Sequence, residues 1–223
     1  MDTLAHASTP QPVRVKPLLR GYSHEAAAHG ALAAGVALVA GARSGSARLA
    51  AATYAASLVL LFVASAVYHR PQWTPAVRSV LGRLDQAAIF LLIAGTCTPI
   101  ALHVGGPTGQ QILLAVWTGA GLGIAVAIVW PSAPKWLMAL LCVLLGWVVT
   151  FASPALHAAL GTRGFLLLVA GGVMYTVGAA IYAARRPDPL PRVFGYHEIF
   201  HVLVVTAAAC HFLVVKQAVD ALR

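Results

Sequence analysis

Seven stretches of this chain, about 24–42, 47–68, 84–103, 110–130, 135–153, 164–184 and 194–216, are predominantly apolar. Each runs to about 20 residues, the length a helix needs to cross the hydrocarbon core of a bilayer. Lipid offers no partners to backbone N–H and C=O groups, so only helices and closed β-barrels satisfy the backbone there. These runs are continuous and rich in Ala and Leu, without the period-two alternation of a barrel strand. The sequence therefore predicts an all-α fold, a seven-transmembrane-helix bundle. Between the runs, Gly41-Ala42-Arg43-Ser44-Gly45, Arg70-Pro71, Gly105-Gly106-Pro107, Pro131-Ser132-Ala133-Pro134 and Arg185-Arg186-Pro187 interrupt helices, through lost N–H donors and steric clash at proline and through freed backbone at glycine. These connections leave no room for a second soluble domain. The expected organisation is an N-terminal segment, residues 1–20, followed by a membrane domain, residues 21–223. Residues 1–20 contain Pro10, Pro12, Pro17, Arg14, Lys16 and Arg20 and lack the apolar centre of a secretory signal, so the first helix is expected to stay in the mature protein.

The chain is 60% hydrophobic and 9% charged, with 15 Lys and Arg against 6 Asp and Glu. A basic excess of this size raises the question of nucleic acid, but the cations lie in the short connections, where they orient helices across a membrane. Nucleic acid is excluded as a partner on that ground. Arg14, Lys16, Arg20, Arg70, Arg78, Arg83, Lys135, Arg185, Arg186 and Arg192 fall on one predicted side, and Arg43, Arg48, Arg163, Lys216 and Arg223 on the other. The more basic side is expected to be cytoplasmic. This makes the chain a multi-pass protein of the cell membrane with its N-terminus cytoplasmic and its C-terminus external. Cys97, Cys142 and Cys210 each lie within an apolar run, which fits small buried side chains better than a disulfide framework or a CxxC metal site.

Ionisable side chains within a membrane are costly unless paired, metal-bound or wet, so their positions carry the functional information. At the end of the second run, Ser65 and His69 are four residues apart and share a helix face. Asp85 opens the third run, and His197 and His201, again four apart, open the seventh. In the predicted topology all of these lie near the cytoplasmic side and at similar depth. A lone histidine at a membrane edge is ordinarily an interfacial residue. Two at ligand spacing, met at the same depth by a third histidine and an aspartate, point instead to a metal. Three imidazoles leave a fourth tetrahedral position for water, the usual arrangement of a catalytic zinc site, with Asp85 placed to hold that water or a ligand imidazole by hydrogen bonding. Two alternatives stay open: Asp85 pairing with Arg83 or Arg78, and Ser65 bonding back to the carbonyl at position 61. His211 is too far along the helix to join the same ion, and His6, His24, His29, His103 and His157 are not assigned to it.

At these residues the sequence resembles the haemolysin III family, part of the superfamily that includes the progestin and adipoQ receptors. The matching stretches are Lys16-Pro17-Leu18-Leu19-Arg20-Gly21, Ser65-Ala66-Val67-Tyr68-His69, Arg83-Leu84-Asp85 continuing to Ala94-Gly95-Thr96, and Gly195-Tyr196-His197-Glu198-Ile199-Phe200-His201. The resemblance implies a seven-helix fold with a cytoplasmic N-terminus and a Zn2+ site at His69, His197 and His201, with Asp85 and Ser65 as the accompanying aspartate and serine. It further implies cytolysis or membrane-lipid homeostasis in bacterial members and, through eukaryotic relatives linked to ceramide hydrolysis, a zinc hydrolase acting on lipid amides. Membrane lipids are the expected partners and a lipid amide the expected substrate.

Two competing readings remain. His197-Glu198-Ile199-Phe200-His201 matches HExxH, the zinc-protease helix in which the glutamate is the general base, and would make the chain an intramembrane metalloprotease. Alternatively the protein is a zinc-stapled pore or membrane sensor, with the metal contributing folding energy only.

Overall fold

The computed structural model describes residues 16–222. The expected N-terminal segment is thus described only from Lys16 onward, and Arg14, His6 and Arg223 lie outside the described residues. The described chain is all-helical: α1 (Tyr22–Gly41), α2 (Gly45–His69), α3 (Pro75–Val104), α4 (Gly106–Val129), α5 (Lys135–Trp147), a short 3-10 segment (Val148–Ala152), α6 (Ser153–Ala184) and α7 (Tyr196–Ala221).

By length and composition, α2, α3, α4, the run Lys135–Ala184 and α7 are able to cross a membrane. α1 falls outside this set because its first two turns carry His24, Glu25 and His29. The 50-residue run Lys135–Ala184 would be about 75 Å long if straight, more than twice the ~30 Å of the hydrocarbon core. It is not straight. Gly161 adopts φ 64° and ψ 174°, outside helical space, in a region open to glycine and strained for other residues. The chain doubles back there: the Trp147 indole N–H, before the break, donates to the Thr176 hydroxyl beyond it at 2.9 Å. Residues 135–160 and 162–184 are therefore an antiparallel helical pair.

α3 starts at Pro75, well before the expected position 84. Thr74 caps its N-terminus by accepting from the Val77 amide, and Pro75 occupies the first turn, where a missing N–H costs nothing. Arg78, Ser79 and Arg83 make this extension too polar to read as a membrane run, although each tolerates a helix. The fifth expected run, 135–153, is α-helical only to Trp147 and continues as 3-10. Small residues serve close packing: a Cβ on Gly123 would lie 2.3 Å from the Phe90 ring.

Contacts sort the connections into two ends. At one end Leu18 and Leu19 amides donate to the Arg192 and Val193 carbonyls at 3.0 and 3.1 Å, and the Lys16 ammonium donates to the Arg70 carbonyl at 2.6 Å. At the other, Ser44 donates to the Leu222 carbonyl at 3.4 Å and His103 to the Ala159 carbonyl at 2.9 Å. The ends of α2 and the starts of α1, α3 and α7 thus meet at one end of the bundle.

Candidate metal centre

The first turn of α7 is fixed before its histidines are placed. Glu198, itself buried, accepts from the Gly195 amide at 2.8 Å, capping a free N–H group at the helix start, and its other oxygen takes the half-buried Arg20 guanidinium in an ion pair. His197 and His201, one turn apart, then face inward. Both are buried, as is His69, the last residue of α2.

The His197 and His69 Nε2 atoms lie 3.2 Å apart, and one ring nitrogen from each of His69, His197 and His201 falls within a 4.8 Å group. Nitrogens bound tetrahedrally at about 2.0–2.1 Å from zinc stand about 3.3 Å from one another. His201 Nδ1 is buried without a hydrogen-bond partner, a state that buried polar atoms rarely keep. The donor set and its spacing therefore fit a metal ion. Asp85 Oδ2 is 3.8 Å from His69 Nε2, and neither Arg83 nor Arg78 pairs with it among the described residues. Ser65 bonds His24 Nδ1 at 2.8 Å rather than the carbonyl at position 61.

His24 is the residue that sequence reasoning missed. It is buried at the start of α1, and its ring stacks on His201 with centroids 3.7 Å apart and planes 6° from parallel. The signal was available: His24 opens a helix at the same end as His69, Asp85 and His197, three residues past the matching stretch that ends at Gly21. His211, by contrast, bonds the Leu168 carbonyl at 3.0 Å and stays out of the cluster.

Gly21 brings the N-terminal segment against the centre. Its φ is 86°, and an added Cβ would meet the His69 Cβ at 3.0 Å. Gly21→Ala is expected to cost about 1–2 kcal/mol from the left-handed backbone alone. The crowding of His69 adds to this. Thermal unfolding in detergent should show a clearly lowered midpoint, and an unchanged one would remove Gly21 from any role in shaping the site.

A cavity of about 610 Å³ extends from the cluster. Its polar end is lined by Arg78, Arg83 and Lys135 beside His69 and Asp85, and its far end by Trp147, Tyr175 and His211. His211 lies ten residues beyond His201, about 15 Å along α7, so the cavity reaches deep between the helices. Ile89, Leu92, Ile93 and Val204 give its walls an apolar character. Its size is ordinary for a small-molecule site.

A sequence profile described as "Haemolysin-III related" matches residues 13–212. The chain belongs to the haemolysin III family, within the progestin and adipoQ receptor superfamily. It is similar to "Hemolysin-3" of Bacillus cereus, 36% identical over 171 residues, which cover 76% of this chain and 75% of that one. "Hemolysin-3 homolog" of Bacillus subtilis (strain 168) is 31% identical over 163 residues, 73% of each chain. The human "Monocyte to macrophage differentiation factor" is 25% identical over 170 residues, 74% of this chain and 68% of its own length. Family membership and the apolar helices together make this haemolysin III member a multi-pass membrane protein.

Proposed function

We propose that this protein is a zinc-dependent hydrolase of lipid amides in the cell membrane. His69, His197 and His201 are the metal ligands, Asp85 is the proton-transfer group, and Ser65 is a polar contact beside it. The observation that carries this reading is the carboxylate set against three buried imidazoles at the end of a deep, apolar-walled cavity. A purely structural metal site has no use for such a cavity.

The zinc ion supplies Lewis acidity, bringing the pKa of water toward about 7 and polarising a carbonyl oxygen. Everything else falls to the chain. The cavity wall holds the acyl chain and leaves the amide carbonyl at the histidine end. Asp85 Oδ2 takes the proton from the attacking water and returns it to the amide nitrogen as the C–N bond breaks, giving a fatty acid and an amine. The test is release of fatty acid from a lipid amide by zinc-loaded protein in vesicles.

One observation favours a second reading: the Bacillus cereus relative carries a haemolysin name. In that case the metal staples α2 to α7 in a cytolytic pore or a membrane sensor, and Asp85 has no chemical role. The metalloprotease reading fares worse, since Glu198 is engaged by Arg20 and by the Gly195 amide and so is not free to act as a base.

The bundle crosses the membrane seven times, as α1, α2, α3, α4, residues 135–160, residues 162–184 and α7. Residues 1–20 and the histidine end are cytoplasmic, the C-terminus is external, and residues 21–223 form one membrane domain. The basic connections at the histidine end support this orientation. Cysteines placed at positions 78 and 192 are expected to resist impermeant thiol reagents in intact cells and to react after lysis. Labelling of either in intact cells would invert the topology.

A further inference from the structure

The cavity that begins at the histidines is cationic at its outer end. Arg78 and Arg83 both line it, and Asp85 is the one carboxylate among its lining residues. The ion pairs among the described residues are Arg20–Glu198, His69–Asp85, Arg70–Glu25 and Lys216–Asp220. Neither Arg78 nor Arg83 appears in them. Arg78 lies over the Tyr68 ring, 4.9 Å from its centroid. Arg83 donates to the Ser79 hydroxyl at 3.3 Å, while its Nε is buried with no partner. A buried guanidinium donor without an acceptor is costly, and guanidinium groups match the oxygens of phosphate in a planar, two-pronged fashion. Nearby, burial and then the guanidinium groups of Arg70, Arg78 and Arg20 hold the Lys16 ammonium below its ordinary pKa, so the positive charge at this end is incompletely offset.

Position along α3 orders these groups. Arg78 and Arg83 precede Asp85 by seven and two residues, about 10 and 3 Å of helix rise. Moving inward, the cavity passes from cations to the carboxylate and imidazoles, and then to Ile89, Leu92 and Ile93. We infer that the cavity is a site for an amphipath with an anionic, phosphate-class head group, held at Arg78 and Arg83 with its acyl chain lying inward. This rests on the proposed reading of the cavity as a lipid site and deepens it. Cations at membrane interfaces also serve orientation alone. Arg185 and Arg186 lie in the connection before α7, outside the cavity lining, and serve as the comparison.

Full-length protein in nanodiscs of zwitterionic lipid is titrated with lysophosphatidic acid and with a monoacylglycerol of the same acyl chain, each competing against a fluorescent fatty acid. The phosphate-bearing lipid should bind about tenfold more tightly. The double variant R78Q/R83Q should bring the two within about twofold while still binding monoacylglycerol, and R185Q/R186Q should keep the preference. Equal binding of both lipids by the wild-type protein overturns the inference without any variant. So does an equal loss of preference in R185Q/R186Q, or displacement by inorganic phosphate as effective as by lysophosphatidic acid. Neither probe contains an amide. A protein that hydrolyses nothing can therefore pass this test, and a working hydrolase without the preference fails it alone.

Discussion

Purified protein is expected to carry about one zinc ion per chain, and His69→Ala, His197→Ala and His201→Ala are each expected to reduce that content to near zero. The reasoning is geometric. With the ring nitrogens of these residues gathered within 4.8 Å, removal of one imidazole leaves only two protein ligands for the ion. Since α2 contributes His69 and α7 contributes the other two, the His69 variant also loses the link between those helices. Binding free energy of a metal is also folding free energy, so a chelator should lower the unfolding midpoint of wild-type protein and have little effect on the three variants. His211→Ala is the control, because that residue bonds the Leu168 carbonyl and should leave zinc content unchanged. Elemental analysis showing full zinc in any of the three ligand variants, with size-exclusion behaviour like wild type, removes that residue from the site.

What could be read from sequence and what could not follow from the physics of each signal. Continuous apolar runs identify helices because lipid leaves the backbone no alternative, and the family was legible in motifs such as Ser65-Ala66-Val67-Tyr68-His69. The gathering of His69, His197, His201 and Asp85 at one end was legible because alternating helices bring specified ends together. Less visible was the N-terminal extension of α3. Its Arg78 and Arg83 lower local hydropathy, yet they belong to the helix that carries Asp85. His24 was missed for a related reason. Pairing at i and i+4 draws attention to residues on one helix, whereas His24 meets His201 by stacking between helices, with centroids 3.7 Å apart, a contact no spacing encodes. The doubling back of the chain was legible in the break between the runs 135–153 and 164–184, whereas the place of the break, at Gly161, emerges only from the backbone there and from the Trp147 and Thr176 contact across it.

Asp85→Asn is expected to retain zinc and fold while losing about two to four orders of magnitude in the release of fatty acid from a lipid amide. The substitution changes almost nothing in volume, and Asp85 Oδ2 stands 3.8 Å from His69 Nε2, beyond hydrogen-bond distance, so it does not hold the imidazole in place directly. Metal content should therefore survive. What disappears is the ability to accept and return a proton, since an amide side chain is not a useful base near neutral pH. A structural carboxylate would behave differently: exchange for the amide would shift stability slightly and leave function in place. The assay follows fatty acid from vesicles containing a lipid amide, alongside leakage of an entrapped dye from the same vesicles. Loss of release with zinc retained supports the hydrolase. Zinc-loaded wild-type protein that releases no fatty acid, yet makes vesicles leak equally with Asp85 or with asparagine in its place, would instead establish the pore, because permeation needs the stapled helices and has no use for a proton acceptor beside the metal.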